Sequence, residues 1–271
     1  DFLNKRLSNP SQLENVYSSH QDIRYHFVKA EEEKLKNHLI IVFSAFSTEY
    51  IYNFNYIETL KEFKTNKLFI LDDFDAKGSY YLGKDSNFSI ESAVISLILN
   101  KCAEHNISMN NIITLGSSKG GYSALYFGVK YSFGNIITLA PSLFLGTFLK
   151  KHHPEMLEYI LGGSTYADEM YLNNLIYKLF NNNEGYKPNI KIMVGTKDSR
   201  KESHIKPFIN YLNSKEYPYD YDLIEGVDHS QLKYFAPEYF KVQVAKILNI
   251  PNIPEMYLTD INFKIEDNIA K

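Results

Sequence analysis

Leu115-Gly116-Ser117-Ser118-Lys119-Gly120-Gly121 is the stretch on which the reading of this chain turns. It holds a G-x-S-x-G spacing from Gly116 to Gly120. The β-rich run Asn111-Ile112-Ile113-Thr114-Leu115 enters it, and a helix-like run from Gly121 to Val129 leaves it. A serine on a sharp strand-to-helix turn needs small neighbours, because bulk at Gly116 or Gly120 would collide with the adjacent backbone. Such a turn projects Ser118 Oγ above a sheet and aims the Lys119 amide at the same space. Taken alone, the heptad reads equally as a tight turn with a capping serine, so the flanking sequence has to decide.

Outward from the heptad, strands alternate with helical segments. His38–Phe43 and Lys67–Leu71 carry continuous apolar runs, as strands buried on both faces do. Asp22–Val28 alternates polar and apolar residues like a half-exposed strand, and Asn135–Leu139, Ile190–Val194 and Tyr219–Ile224 add further strands. Helices are expected over Tyr56–Phe63, Ile90–Glu104 with Ser89 as N-cap, Ile205–Leu212 and Pro237–Leu248, and Glu31–Lys36 reads as a solvated turn. The rhythm breaks after Ala140-Pro141, where helical pieces span Phe148–Leu161 and Ala167–Phe180 and end at Gly185 and Pro188. The expectation is one α/β domain over residues 1–250, with a mostly parallel central sheet, helices on both faces and a small helical cap insertion at 143–187. Residues 251–271, opening with Pro251 and Pro254, read as a C-terminal tail or linker.

In parallel sheets ligands bind at the carboxyl ends of the strands. Ile190–Val194 runs into Gly195-Thr196-Lys197-Asp198-Ser199. A carboxylate there can accept an imidazole N–H, fix its tautomer and stabilise the imidazolium. Asp198 reads equally as the N-cap of the helix that follows. Tyr219–Ile224 runs into Glu225-Gly226-Val227-Asp228-His229-Ser230. A loop histidine at 229 can act as general base on a serine without sacrificing sheet hydrogen bonds. Asp228 is a rival carboxylate, disfavoured because a sequence neighbour rarely folds back onto the adjacent ring. Ser118, Asp198 and His229 each follow their own strand, in the chain order of the α/β-hydrolase fold.

An oxyanion hole needs a second amide besides that of Lys119, supplied by the loop after an early buried strand. Small residues at Ser44 and Ala45 let backbone approach a carbonyl, so the Ala45 N–H is the expected donor, with Phe46 next. The Lys119 ammonium is expected in solvent, with a place near an anionic substrate as the alternative. Asp72, Asp73 and Asp75 lack the remaining ligands of a calcium loop, so no metal site is expected. Phe46, Tyr80 and Tyr81 are read as aromatics facing the substrate, with plain packing of the loop as the alternative for the two tyrosines. The adjacent His152 and His153 point apart on a helix and are expected to be exposed.

Composition narrows the classes. Hydrophobic residues make up 44% and charged residues 23%, as in a globular domain, and a net charge of −3 with no basic block argues against a nucleic-acid partner. The single Cys102 lies in an apolar helical run and reads as a buried thiol. No stretch is apolar enough to span a bilayer, and no signal peptide is visible. The expected location is the cytoplasm, with peripheral association at the inner face of the membrane. The chain starts at Asp1 rather than Met, so an upstream targeting segment or domain is compatible with it.

Phe43-Ser44-Ala45-Phe46, Ala76-Lys77-Gly78-Ser79-Tyr80-Tyr81, Leu115–Gly121, Ala140-Pro141, Gly195–Ser199 and Asp228-His229 together carry a resemblance. The set resembles the α/β-hydrolase-fold O-acetyltransferases of bacterial capsule biosynthesis and the related acetyltransferase component of accessory Sec glycoprotein export. It runs in order over residues 37–248. The resemblance implies that Ser118 takes an acetyl group from acetyl-CoA, a co-substrate rather than a bound cofactor, and passes it to a saccharide hydroxyl. It also implies association with a polysaccharide-synthesis complex. The residues themselves are equally compatible with a carbohydrate esterase or other serine hydrolase, and a non-catalytic scaffold is the third alternative.

Overall fold

The computed structural model describes residues 14–181, 186–251 and, as backbone, 263–265. Among these, nine strands form one sheet: β1 (Asn15–Ser18), β2 (Asp22–Val28), β3 (Leu39–Phe43), β4 (Asn66–Ile70), β5 (Ile112–Ser117), β6 (Asn135–Leu139), β7 (Asn189–Gly195), β8 (Tyr219–Ile224) and β9 (Phe263–Ile265). Their spatial order is β1-β2-β4-β3-β5-β6-β7-β8-β9. The block from β4 to β8 is parallel, while β1, β2 and β9 pair antiparallel at its two edges. The apolar runs explain the centre: every residue of β3, β4 and β5 is buried, as a parallel sheet covered on both faces requires.

Helices α1 (Ile57–Leu60), α2 (Ser89–His105), α3 (Lys119–Lys130), α4 (Leu145–His152), α5 (Pro154–Leu161), α6 (Tyr166–Asn181), α7 (Lys206–Ser214) and α8 (Leu232–Ile247) fill the connections. Side-chain alternation assigns two of them to opposite faces. Thr114 Oγ1 donates to Ala124 O (2.9 Å) and Thr138 Oγ1 to Gly121 O (2.8 Å), so α3 covers the face of these threonines. Ser117 points the other way, where Tyr56 joins it at 2.7 Å and packs on Phe240 of α8. Helices α4, α5 and α6 all lie between β6 and β7, where the strand–helix rhythm breaks.

Several boundaries differ from the sequence reading, each for a local reason. Ser89 is the first residue of α2 rather than its cap, and Asn87 Oδ1 accepts the Ser89 N–H at 3.0 Å. The helix expected over Phe148–Leu161 is two, because Pro154 drives His153 out of the helical region to φ −148° and ψ 57°. Helix α8 starts at Leu232 and carries Pro237 inside it. Leu35, in the turn expected to be solvated, is buried. Strand β1 was not anticipated. Of the expected tail, β9 pairs with β8, while Pro254, like Gly185, lies outside the described residues.

The order matters for function. The chain runs from β3 outward to β4, then returns past β3 to lay down β5 on its other side. Such a reversal leaves a crevice at the carboxyl ends of the strands, where open α/β sheets bind ligands. The loop after β3 and the turn after β5 meet there. That meeting leaves no room for a side chain at position 120: a Cβ on Gly120 would lie 2.2 Å from Phe43 O. Gly120→Ala should therefore destabilise the protein by about 3 kcal/mol, the upper end of overpacking costs. Urea denaturation measures this, and an unchanged midpoint would contradict the packing described.

Candidate active site

Ser118 occupies the turn between β5 and α3 at φ 53° and ψ −114°, a conformation few non-glycine residues adopt. Its N–H donates to Leu139 O on β6 at 2.8 Å, and its carbonyl accepts the Tyr122 N–H at 3.1 Å, opening the helix. A Cβ on Gly116 would fall 2.3 Å from the backbone of Gly120. The spacing seen in the sequence is thus a contact: the two glycines let the chain turn back onto itself with the serine at its apex.

Two loops bring partners to that apex. His229 Nε2 lies 3.1 Å from Ser118 Oγ, and His229 Nδ1 lies 2.6 Å from Asp198 Oδ2. Asp198 Oδ1 also accepts the Arg200 N–H at 2.9 Å. Asp198 thus spends one oxygen on the imidazole and the other on the amide two residues on, while Arg200 is the residue that precedes the π-helical turn. Burial of Asp198 opposes its ionisation; the His229 hydrogen bond, the Arg200 amide and the positive charge nearby outweigh this and hold the carboxyl below its ordinary value. Asp228 is half-buried and spent on its own turn, accepting the Ser230 and Gln231 amides. A hydroxyl, an imidazole and an ionised carboxylate in this series can pass a proton from the alcohol while the ring's other N–H is held in place.

The surroundings correct other expectations. The Lys119 ammonium is not in solvent: it is 2% exposed and pairs with Asp72 Oδ2 at 2.7 Å, and the Asp72 side chain is fully buried. Asp72 Oδ1 accepts both the N–H and the Oγ–H of Ser79, at 2.8 and 3.1 Å. Helix α3 is buried along its whole length up to Lys130, so its first residue has no route to water. The signal was available, since no other charged residue occurs between Lys119 and Lys130 and Asp72 closely follows a strand.

Tyr80 and Tyr81 do not face a substrate. Both have positive φ, 56° and 58°, which turns them into the core. Burial pushes both phenols far up from their ordinary value. The Tyr81 hydroxyl donates to Ile70 O and accepts the Ser44 N–H, at 2.8 and 2.7 Å. Phe46 remains half-buried at the surface of this cluster, with its ring centre 5.8 Å from that of Tyr80.

The amide of Lys119 is the first of α3 and has no intrahelical acceptor. That of Ala45 is not vacant, because it donates to Asn55 Oδ1 at 2.8 Å. Asp73 binds Arg24 at 3.0 Å. Among the described residues no three His, Cys, Asp or Glu side chains are placed to hold a metal ion. His152 is exposed, but His153 is half-buried and its ring packs 5.0 Å from Phe46. Cys102 is buried, which pushes its thiol up to about 11.

Sequence reasoning missed Arg200 and His204. Arg200 Nε donates to Ser142 Oγ at 2.9 Å, and Nη1 lies 3.6 Å from Asp198 Oδ1. His204, on the π-helical turn Lys201–Ile205, accepts the Phe144 N–H on Nδ1 at 3.2 Å. Their nearness in sequence to Asp198 was the available cue.

A parallel sheet with helices on both faces, carrying this series at its topological switch point, is the α/β-hydrolase fold. No protein-family profile and no curated protein matches the sequence. Among solved structures, the capsule O-acetyltransferase of Neisseria meningitidis serogroup A is 27% identical at a TM-score of 0.74, covering 89% of this chain and 98% of that one. A mutant of that enzyme in complex with CoA matches at 26% identity and 0.74, covering 90% and 100%. The Gap123 glycosylation-associated complex of Streptococcus agalactiae shares the fold at 19% identity and 0.74, covering 89% of this chain and 47% of that one. The chain resembles the capsule enzyme over nearly the full length of both.

Two outcomes follow from the buried groups. Lys119→Met leaves the Asp72 carboxylate buried without its partner and should cost about 3–5 kcal/mol, read by urea denaturation; a cost below 1 kcal/mol would mean the pair is solvated (~ the surface value). Burial, aided by the Arg200 charge and opposed by Asp198, lowers His204 from 6.5 to about 4. Between those two values the unfolded chain binds the extra proton, so stability falls as the pH falls, by up to roughly 3 kcal/mol. His204→Asn should flatten that part of the stability curve between pH 6.5 and 4. Melts of both proteins across this range test it, and parallel curves would contradict it.

Proposed function

We propose that this protein is a serine-nucleophile acyltransferase that moves an acetyl group from acetyl-CoA to a hydroxyl of a bacterial surface or capsular polysaccharide. Ser118 is the nucleophile, His229 the general base and Asp198 the carboxylate that orients it. The observation that carries the reading is the Ser118–His229–Asp198 series, with contacts of 3.1 and 2.6 Å, on a serine held at positive φ. The resemblance to a capsule O-acetyltransferase, one structure of which contains CoA, supports the donor and the acceptor class.

In the proposed reaction His229 Nε2 takes the Ser118 proton as Oγ attacks the thioester carbonyl. The Lys119 amide donates to the tetrahedral oxyanion. Ala45 can add a second bond once the oxyanion displaces Asn55 Oδ1, exchanging a neutral acceptor for a charged one. The thiol of CoA leaves with the proton from His229, and acetyl-Ser118 remains. A saccharide hydroxyl then gives its proton to His229 and attacks the ester, and Ser118 recovers a proton as the acetylated sugar departs. No helix among the described residues is long and apolar enough to cross a membrane. The proposed setting is the cytoplasmic side, in association with the machinery that makes the polymer.

Ester hydrolysis is the second reading, favoured by one observation: the His229 side chain is 30% exposed, so water reaches the base. Ser118→Ala should lower acetyl-CoA turnover by at least ~10³-fold without lowering the melting temperature; retained turnover would remove Ser118 from the role. Mass spectrometry of candidate saccharides after incubation with acetyl-CoA separates the readings. An acetyl group on the sugar supports transfer, and free acetate with every acceptor supports the esterase.

A further inference from the structure

A cleft of about 710 Å³ opens between α4, α6 and the segment after β7. Its volume is that of a small-molecule site. The crevice between Ser44, Ala45, Asp72 and Lys119 offers about 10 Å³, no more than one water needs. The cleft touches the reaction centre on two sides. Arg200, on its wall, reaches Asp198, and His153, also on its wall, packs on Phe46 of the loop after β3.

Its charge is one-sided. The ionisable residues on the wall are Lys151, His152, His153, Arg200 and His204, all bases. Nearby carboxylates are committed: Asp198 to His229 (2.6 Å), Glu169 to Lys150 (3.0 Å), and Glu155 to Lys77 and His153 (3.7 Å each). Two of the bases are built into the wall. The Arg200 side chain is 15% exposed, its guanidinium lies 5.3 Å from the centre of the Phe148 ring, and its contacts to Ser142 and Asp198 use Nε and Nη1. The Nη2 hydrogens remain for a ligand. His204 is 9% exposed, and because Nδ1 accepts the Phe144 amide, the ring proton sits on Nε2 as a donor. A preset guanidinium edge, an imidazole N–H and the hydroxyl of Ser199 suit an anion with several acceptor oxygens; the Ser203 hydroxyl is spent on the Ser199 carbonyl at 2.9 Å.

We infer that this cleft is a phosphate-binding subsite of the active site, read by Arg200 and His204 with Lys151 at its mouth. The inference rests on the acyl-transfer reading for the source of the phosphate, which is either the nucleotide portion of the donor or a phosphate on the saccharide acceptor.

The deciding measurement is calorimetric titration of the Ser118→Ala protein with inorganic pyrophosphate. Binding should weaken as salt is raised. It should fall roughly tenfold with Arg200→Gln, the loss expected for a charge-assisted hydrogen bond. Lys151→Gln, an exposed change that does not touch the series, should weaken it severalfold, while p-nitrophenyl acetate hydrolysis compared between the unsubstituted and Ser118→Ala proteins reads the catalytic residues separately. Absence of pyrophosphate binding, or binding indifferent to both changes, overturns the inference. Loss of Ser118-dependent p-nitrophenyl acetate hydrolysis would instead be a failure of the catalytic reading. Kinetics then assign the source. If Lys151→Gln erases a preference for acetyl-CoA over acetyl-pantetheine, the phosphate is the donor's. If it erases a preference for a phosphorylated acceptor over its neutral counterpart, the phosphate is the acceptor's.

Discussion

The backbone of Ser118 is the constraint from which the rest of the site follows. A non-glycine residue at φ 53° and ψ −114° costs on the order of 1–3 kcal/mol and persists only where its surroundings over-determine it. Here they do. The Leu139 carbonyl takes the serine amide, Gly116 and Gly120 touch backbone to backbone, and Gly120 presses against Phe43. Three adjacent strands, β3, β5 and β6, therefore hold one residue. Relaxing that turn would move Oγ, the Lys119 amide and the start of α3 together, so the geometry seen by a substrate is a property of the sheet rather than of a loop.

The same constraint explains the buried charge beside it. Because α3 runs directly from the turn into the core, its first side chain is carried inside, and an ammonium there needs a carboxylate. Asp72 supplies one from the start of the loop after β4, and its second oxygen takes two bonds from Ser79. A buried ion pair adds little net stability compared with an apolar pair, but it punishes misalignment heavily. It thus acts as a register pin, tying the loop after β4 to the elbow and leaving Tyr80 and Tyr81 to point inward. That loop packs as scaffold, with both tyrosine rings buried.

What could be read beforehand followed from how local each signal was. Apolar runs such as Leu39–Phe43 and Leu68–Leu71 declare buried parallel strands by themselves, and the order of Ser118, Asp198 and His229 behind three strands needed no contact information. Features set by distant partners were not legible in that way. Lys119 meets Asp72 across 47 positions of sequence; the Ala45 amide is claimed by the side chain of Asn55. Tyr80 and Tyr81 looked like surface aromatics because nothing in their identity reports a positive φ. Asp198 gave two readings, and the fold uses both oxygens of its carboxylate.

Transfer and hydrolysis share this machinery, and what separates them is the residence of an acceptor beside the acyl-serine. With the His229 side chain 30% exposed, the described residues do not seal the base from water. Selectivity for an alcohol does not require a sealed site, however. Holding one reactant in line with the ester raises its effective concentration by many orders of magnitude above that of a free solute, up to ~10⁵–10⁸ M. A cleft that grips reactants through fixed cations and donors can supply that advantage while remaining open to solvent. The same argument predicts leakage: with the acceptor site empty, the acyl-enzyme has only water to react with. Hydrolysis of donor without acceptor is then the expected idle behaviour of a transferase built this way, and the ratio of transfer to hydrolysis at saturating acceptor is the quantity that defines the enzyme.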